Sequence, residues 1–127
     1  MTERPPRRRV RLQSAPRKGE VYWCDYPPPE CLHLPEFWKR RPVVIVSRYA
    51  TLRGVATVVP ITSRVQLNLQ FSVLLRSPID GRDAWAICNH VTTVAVSRLL
   101  PSHGRPSVSE QEYREILQKV TDSLAEP

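Results

Sequence analysis

The sequence predicts a small, mainly β domain with one α-helix at its end, in which about five strands form a small barrel and the helix packs on it. Three observations lead to this prediction. Five short segments have the alternation or the β-branched composition of strands, turn signals separate several of them, and one amphipathic helix pattern follows the last. The chain has 127 residues, 41% of them hydrophobic, which is enough for one compact core.

Three of the predicted strands lie between residues 20 and 59. Residues 20–26 alternate between two faces and are rich in aromatic side chains, and the prolines at 27–29 end this strand because proline cannot donate a ladder hydrogen bond. Residues 42–47 are β-branched almost throughout, which predicts a central strand that is buried on both faces. Residues 55–59 form the third predicted strand, which we expect to stop at Pro60.

Two further strands and the helix follow. Residues 69–75 alternate again, and residues 77–81 have the Pro and Asp-Gly signals of a tight connection to a fifth strand at 83–91. Ser109 and Glu112 match a capping box, which predicts the start of a helix. The apolar residues of this helix recur at helical spacing and form one stripe, made of Tyr113, Ile116, Leu117, Val120 and Leu124.

The positive charge is concentrated at the N-terminus. The formal net charge is +7, and residues 1–18 carry seven basic side chains and one acidic side chain, whereas the rest is nearly neutral. We therefore expect residues 1–18 to be a flexible basic tail and residues 19–127 to be the folded domain. Two interpretations of the tail remain open: an arm that raises the affinity for RNA or DNA by releasing counterions, or a solubilising extension.

The expected location is the cytoplasm. No apolar stretch approaches the ~20 residues of a membrane span, and the basic N-terminus lacks the apolar region of a secretory signal. The three cysteines are odd in number. We therefore expect reduced thiols in a cytoplasmic protein that does not act at a membrane.

Most familiar enzyme motifs are absent from the sequence, which has no glycine-rich phosphate loop, no HExxH, no CxxC and no GxSxG. Cys31 with His33 and Cys88 with His90 could supply four zinc ligands. Their spacing matches no common zinc module, so we expect neither a metal nor another cofactor.

Residues 36–42 combine a carboxylate, two aromatic side chains and three cations directly before a predicted buried strand. Interleaved cations and aromatic rings can bind a phosphate backbone while bases stack on the rings. The alternative is that the aromatic side chains cap the end of the barrel and the charges face solvent.

Four motifs, in chain order, resemble the MazF/PemK family of toxins from type II toxin–antitoxin systems. They are Gly19-Glu-Val-Tyr-Trp-Cys-Asp25, then Glu36 followed by Arg41-Pro-Val-Val-Ile-Val-Ser47, then Val59-Pro-Ile-Thr62-Ser, and finally Cys88-Asn-His-Val-x-Thr93 with Ser97-Arg-Leu99. The resemblance extends from about residue 19 to residue 124. It implies an SH3-like barrel of antiparallel strands with a C-terminal helix, and a homodimer.

The resemblance also implies an activity, that of a metal-independent endoribonuclease that cuts single-stranded RNA such as mRNA at short sequence motifs. In this family the ribose 2′-hydroxyl attacks the adjacent phosphorus and leaves a 2′,3′-cyclic phosphate and a 5′-hydroxyl. Motif positions make Arg41, Thr62 and Glu36 the expected catalytic residues. Either Glu36 or His90 suits the role of general base, and substrate-assisted transfer is a third route. The side chains expected to bind RNA are Trp38, Lys39, Arg40, Ser63, Arg64 and His90.

An acidic cognate antitoxin is the partner that the resemblance implies. It would cover the RNA groove, including Glu36 and Arg41, and could join the homodimer in a hetero-oligomer. Two alternatives to RNA cleavage are a toxin of the same fold that poisons DNA gyrase and an inactive RNA-binding barrel. Gyrase poisons depend on an aromatic residue near the end of the chain, and no aromatic residue follows Tyr113. This difference favours RNA cleavage.

Overall fold

The computed structural model describes residues 4–26, 33, 39–67 and 69–124. Two 3₁₀ turns lie at Cys88–His90 and Val96–Arg98. The strands and the helix are β1 (Val21–Asp25), β2 (Arg40–Ile45), β3 (Val55–Thr62), β4 (Ser72–Ile79), β5 (Arg82–Ile87), β6 (Thr92–Ala95), β7 (Leu99–Leu100) and α1 (Glu110–Leu124).

The long strand β3 is the centre of an antiparallel sheet. One edge of β3 pairs with β2, which is followed by β1 and β7, and the other edge pairs with β6 and then with β5, which is followed by β4. The edge strands β6 and β7 are joined by the short turn Val96–Arg98, so the sheet has to curl to bring them together. The predicted mainly β fold with a C-terminal helix is confirmed. Within the described residues there are seven strands rather than about five, and the curled sheet stays open because β6 and β7 are not paired with each other.

Alternation along the strands divides the apolar side chains into two clusters. Tyr22 and Val43 are opposite one another on one face, and Val21 and Val44 on the other. The inner cluster lies inside the curl and contains Leu12, Tyr22, Cys24, Val43, Ile45, Ala56, Val58, Val94, Val96 and Leu99. The helix cluster lies under α1 and contains Val21, Val44, Val59, Ile61, Val73, Leu75, Ala84, Ala86, Cys88 and Ile116.

The predicted capping box begins α1. The backbone N–H of Ser109 donates to Glu112 Oε1 at 2.8 Å, and the backbone N–H of Glu112 donates to Ser109 Oγ at 3.0 Å. Ile116 is fully buried in the helix cluster, and Lys119 Nζ donates to the carbonyl of Ser72 at 2.8 Å, which ties α1 to the start of β4. No helix in the described residues combines the length and the apolar character that a membrane crossing needs.

Several strand boundaries differ from the sequence prediction. The expectation that the third strand stops at Pro60 is wrong, because β3 continues to Thr62. Pro60 is tolerated there because of its position on the edge of β3 that faces β6 and β5. The pairs with β6 end at Val58 and those with β5 begin at Ile61, so residues 59 and 60 pair with neither strand. The fourth strand begins at Ser72 and continues past a bulge to Ile79.

The predicted fifth strand is also interrupted. It ends at Ile87 in the turn Cys88–His90, and the following residues form β6, which the alternation did not predict. The Asp-Gly signal does mark the tight turn between β4 and β5. Asp80 and Gly81 have φ values of 61° and 70° there, a conformation that suits a two-residue hairpin loop.

Part of the predicted basic tail contacts the domain. Leu12 is only 8% exposed and belongs to the inner cluster, and Val10 packs against the same cluster. The backbone N–H of Arg17 donates to Glu20 Oε1 at 2.7 Å. The segment therefore buries a leucine that its charge pattern did not indicate.

Candidate active site

Arg41 and Thr62 lie on neighbouring strands and on the same face of the sheet. Arg41 is opposite Cys24 near the start of β2. The pairs between β2 and β3 end at Val43 and Pro60, and Arg41 and Thr62 each lie two residues beyond this last pair, Thr62 being the last residue of β3. Side chains two residues apart in a strand share a face, so both residues follow the inner-cluster side of the sheet to its rim.

The surroundings of Arg41 are partly apolar and positively charged. Arg41 is half-buried. Burial lowers the pKa of its guanidinium, the phenol of Tyr26 acts in the opposite direction, and the positive charge of Arg64 lowers the pKa again. Two guanidinium groups close enough to affect one another create a positive field that attracts an anion such as phosphate.

Thr62 ends β3 and holds the following turn in place. Its Oγ1 accepts a hydrogen bond of 3.2 Å from the backbone N–H of Arg64, and Gln66 Nε2 donates to the carbonyl of Arg64 at 2.9 Å. Because Thr62 Oγ1 uses a lone pair in this bond, its own hydroxyl proton can be donated to another group. The same turn therefore positions the Thr62 hydroxyl and the Arg64 side chain.

Lys39 and Arg40 lie beside Arg41 and are exposed. Lys39 has a φ of 61°, and its carbonyl accepts from the backbone N–H of Tyr26 at 3.2 Å, which extends the β1–β2 pairing by one step. Arg40 Nε donates to Asp25 Oδ1 at 2.8 Å. This ion pair orients Arg40, which follows the opposite face of β2 from Arg41.

Asp25 gathers cations at the end of β1. Its Oδ2 accepts from Arg11 Nη2 at 3.0 Å, and its backbone carbonyl accepts from Arg98 Nη1 at 2.9 Å. Burial alone would raise the pKa of the Asp25 carboxyl, but hydrogen bonds and charges from Arg40 and Arg11 outweigh burial and hold this pKa below its usual value. Asp25 is therefore ionised at neutral pH, and it joins two arginines at this end of the sheet.

The other predicted site residues are placed as follows. Ser63 and Arg64 are exposed immediately after β3. His90 ends the turn Cys88–His90, which contacts β3 and α1, and it is half-buried. Burial lowers the pKa of the His90 imidazole, which favours its neutral form. Glu36 and Trp38 lie outside the described residues.

Asp25, Tyr26 and Arg11 belong to this region, but the sequence analysis did not select them as site residues. Alternation along the first strand places Tyr26 on the face of Cys24, which is opposite Arg41, whereas the pairing of Asp25 with Arg40 is evident only from the register of β1 and β2. Arg11 had no such signal, because its contact depends on the path of a segment that precedes the first strand.

Two cysteine thiols close to these strands are unsuited to nucleophilic chemistry. Burial raises the pKa of Cys24 to about 12 and that of Cys88 to about 11. Since the thiolate is the nucleophile, both thiols stay protonated and inert at neutral pH. In the part of the chain that the structure describes, no group of three or more His, Cys, Asp and Glu side chains is arranged to hold a metal ion.

The rim of the curled sheet combines side chains of the types that bind anions in proteins. It carries the half-buried guanidinium of Arg41, the Thr62 hydroxyl group at the end of the neighbouring strand and, in the turn that follows, Arg64. Arginine offers a planar pair of donors that matches two phosphate oxygens. The class of protein that this fold and site define is a small β domain that can bind a phosphodiester and stabilise added negative charge on it.

Comparison with known proteins gives the family. Residues 17–124 match the family described as the PemK-like, MazF-like toxins of type II toxin–antitoxin systems. The chain is 36% identical over 103 residues to the endoribonuclease MazF9 of Mycobacterium tuberculosis, and the match covers 74% of this chain and 85% of that protein. The chain belongs to the PemK-like, MazF-like toxin family.

Solved structures agree with this fold. The crystal structure of MazF from Deinococcus radiodurans matches with a TM-score of 0.68 at 20% identity, covering 87% of this chain and 96% of that chain. A mycobacterial endoribonuclease in complex with its cognate antitoxin matches with a TM-score of 0.65 at 22% identity, covering 89% and 98%. At these identities the match supports the same curled sheet with its helix.

Proposed function

We propose that this protein is a toxin that cleaves single-stranded RNA, mRNA included, in the cytoplasm. The observation that carries the proposal is the position of Arg41 and Thr62 on the same face of neighbouring strands, each two residues beyond the pair of Val43 and Pro60, within the Arg-Pro-Val-Val and Pro-Ile-Thr motifs. The relative from Mycobacterium tuberculosis, which is named an endoribonuclease, supports the same activity.

The proposed reaction is an internal transfer at one phosphodiester. The ribose 2′-oxygen bonds to phosphorus, the bond from phosphorus to the 5′-oxygen breaks, and the products carry a 2′,3′-cyclic phosphate and a 5′-hydroxyl. The 2′-hydroxyl proton goes to a base, and the leaving 5′-oxygen receives a proton. Arg41 binds the non-bridging oxygens and stabilises the extra charge of the phosphorane, while the Thr62 hydroxyl donates to the same oxygens.

Two residues suit the general base. Arg41 is a poor proton acceptor because guanidinium pKa values lie above ~12 and the group is charged at neutral pH. His90 suits the role chemically because burial favours its neutral imidazole. Glu36 is the alternative base, and transfer to the phosphate itself is the third route. Trp38, Lys39 and Ser63 would then bind the RNA on either side of the scissile bond, together with Arg40 and Arg64.

The proposed partners follow from the same site. A homodimer would bind one RNA strand, and an acidic antitoxin would inhibit it by placing carboxylates on the cations around Arg41. One structural neighbour is an endoribonuclease in complex with its cognate antitoxin, and MazE–MazF complexes from Deinococcus radiodurans have the same fold. These neighbours support a hetero-oligomer of toxin and antitoxin.

The test is cleavage of a long mRNA by the purified protein in EDTA. We expect discrete cuts, with cyclic phosphate and 5′-hydroxyl ends. Arg41→Ala should slow cutting on the order of 10²–10³-fold, which is the usual loss for one preorganised donor. Arg41→Lys should recover part of the rate because it restores the charge without the planar pair of donors.

Arg53→Ala is the matched control, since Arg53 is an exposed arginine in the connection between β2 and β3. It should cut at the wild-type rate. Intact RNA with the wild-type protein would rule out the nuclease and leave the gyrase poison or the inactive RNA-binding barrel. Normal cutting by Arg41→Ala would show that the site is misassigned.

A further inference from the structure

The N-terminal segment has a fixed path along the domain although most of it lies before the family match. The match begins at residue 17. Leu12 nevertheless reaches the inner cluster, which also contains Tyr22 and Cys24 of β1. Residues 10–12 thus contact the sheet through apolar side chains, and this burial opposes the tendency of a basic segment to remain solvated.

A polar contact fastens the same segment beside the candidate active site. Arg11 Nη2 donates to Asp25 Oδ2 and to the carbonyl of Ser97, each at 3.0 Å. The other carboxylate oxygen of Asp25 accepts from Arg40, which directly precedes Arg41 in β2. Arg11 is therefore one carboxylate away from the strand that carries the candidate catalytic arginine.

This attachment determines where the arginines before it lie. The segment from Arg11 to Arg17 follows β1. Arg11 contacts Asp25 at the end of β1, and Arg17 contacts Glu20 directly before the start of β1. Residues 4–9 precede this attachment and are exposed, and they include Arg4 and residues 7–9, which are three consecutive arginines. At about 3.3 Å per extended residue, the three arginines begin within about 15 Å of the Arg11 backbone.

We propose that residues 4–11 form a docked arm that binds the backbone phosphates of the RNA next to the scissile bond. The inference rests on the proposed function, and it assigns to the arm a part of the substrate that the site around Arg41 does not reach. Arginine suits this role because its charge is permanent and its donors match phosphate oxygens. Docking places several of these donors at the cleavage end before RNA arrives, which reduces the entropy lost on binding.

RNA is favoured over a protein partner by the position of the arm. The arm begins at Asp25 and Arg40, at the end of β2 that also carries Arg41, so one continuous strand of phosphates can contact both the arm and the candidate site. An acidic protein segment is the competing occupant, and poly-glutamate represents its chemistry in the test below.

The experiment measures RNA binding by the full chain in an Arg41→Ala background, in which cutting is slow enough for the RNA to stay intact during a titration. A labelled single-stranded RNA is titrated by fluorescence anisotropy at several salt concentrations. The charge variant is Arg7→Gln with Arg8→Gln and Arg9→Gln. We expect the affinity for RNA to fall about tenfold. The slope of log K against log salt should decrease in magnitude by about 2, because each phosphate contact on a single strand contributes about 0.7 and the variant removes three arginines.

The matched control removes three exposed arginines of β4, β5 and α1, through Arg76→Gln, Arg82→Gln and Arg114→Gln. We expect it to weaken binding by less than about twofold with an unchanged slope, because charges beyond the ~10 Å screening length act weakly. Equal losses in the charge variant and the control would overturn the proposal, since the arm would then act only through total charge.

Two further variants test docking separately from charge. Leu12→Ala and Val10→Ala keep all arm arginines but weaken the attachment, because each removes apolar atoms that pack in or against the inner cluster. Each should weaken RNA binding about threefold with an unchanged salt slope. If both fold and bind RNA as the parent does, the arm is not docked for binding and the proposal fails.

The outcomes separate this proposal from the proposed function. Wild-type cleavage with no selective effect of the arm variants would overturn the arm and leave the nuclease intact. An unchanged affinity of the charge variant for RNA, with weaker binding to poly-glutamate, would assign the arm to an acidic protein and also overturn the proposal. Failure of the wild-type protein to cut any RNA would instead overturn the proposed function.

Discussion

Each of the two apolar clusters is completed by a terminal segment, the helix cluster by α1 and the inner cluster by the N-terminal segment. The two segments differ in how much regular structure and buried contact hold them in place. Ile116 enters the helix cluster from a helix of 15 residues with a complete capping box, and it is fully buried. Leu12 enters the inner cluster from a segment without regular structure and remains 8% exposed. The helix is encoded by local signals, whereas the N-terminal attachment depends on the apolar side chains of Val10 and Leu12 and on the ion pair of Arg11 with Asp25.

The two faces of the sheet therefore differ in what we expect them to contribute: the helix side contributes mainly stability, and the inner side carries the candidate site. The helix side has a continuous apolar contact, which we expect to supply most of the stabilisation. The rim of the inner side carries Arg41 and Thr62, and the RNA site proposed there has to remain open to solvent to admit a long anionic ligand. The weaker attachment of the N-terminal segment is compatible with an arm that adjusts to RNA.

The largest stability effect should come from the helix cluster. Ile116→Ala removes a fully buried side chain between α1 and the sheet, and it should lower the free energy of unfolding by about 2–5 kcal/mol. Urea unfolding followed by tryptophan fluorescence measures this loss. Leu117→Ala, at a neighbouring position that is 37% exposed, is the control and should cost less. Equal losses would mean that the apolar stripe, and not this one position, supplies the contact.

A smaller effect is expected on the inner side. Leu12→Ala should lower the free energy of unfolding by about 1–2 kcal/mol, because the attached segment can shift to fill part of the cavity. The same urea experiment tests it, with limited proteolysis of the N-terminal segment as a second measurement. A loss as large as that of Ile116→Ala would show that the N-terminal segment and α1 contribute equally to stability, and the comparison between them would be wrong.

The sequence predicted those features whose signals lie close together in the chain. The capping box of Ser109 and Glu112 needs only three residues of separation, and both predicted hydrogen bonds are present. β6 was missed because residues 83–91 were predicted as one strand, whereas a 3₁₀ turn at Cys88–His90 ends β5, and no Gly or Pro marks that turn.

The candidate site shows the same limit. The motifs around Arg41 and Thr62 could be selected by resemblance, and the structure then places the two residues on neighbouring strands. The contact of Arg11 with Asp25 spans 14 residues and depends on the burial of Leu12, which no local pattern indicated. Charge counting alone therefore predicted a free tail where part of the segment is attached.

The smallest expected effect concerns the polar half of that attachment. Because Arg40 and Arg11 hold the pKa of Asp25 below its unfolded value of about 3.9, the pair stabilises the fold above that pH, and the stabilisation is lost as pH falls through the lowered folded pKa. The Asp25 side chain is 34% exposed, so solvent screens the interaction and limits it to about 0.5–1 kcal/mol. Urea unfolding of the wild type and of Asp25→Asn should differ by this amount at pH 7 and converge towards pH 3. A difference that stays constant over this range would mean that Asp25 acts through the shape of its side chain instead of its charge, and a double-mutant cycle with Arg40→Gln would then show no coupling.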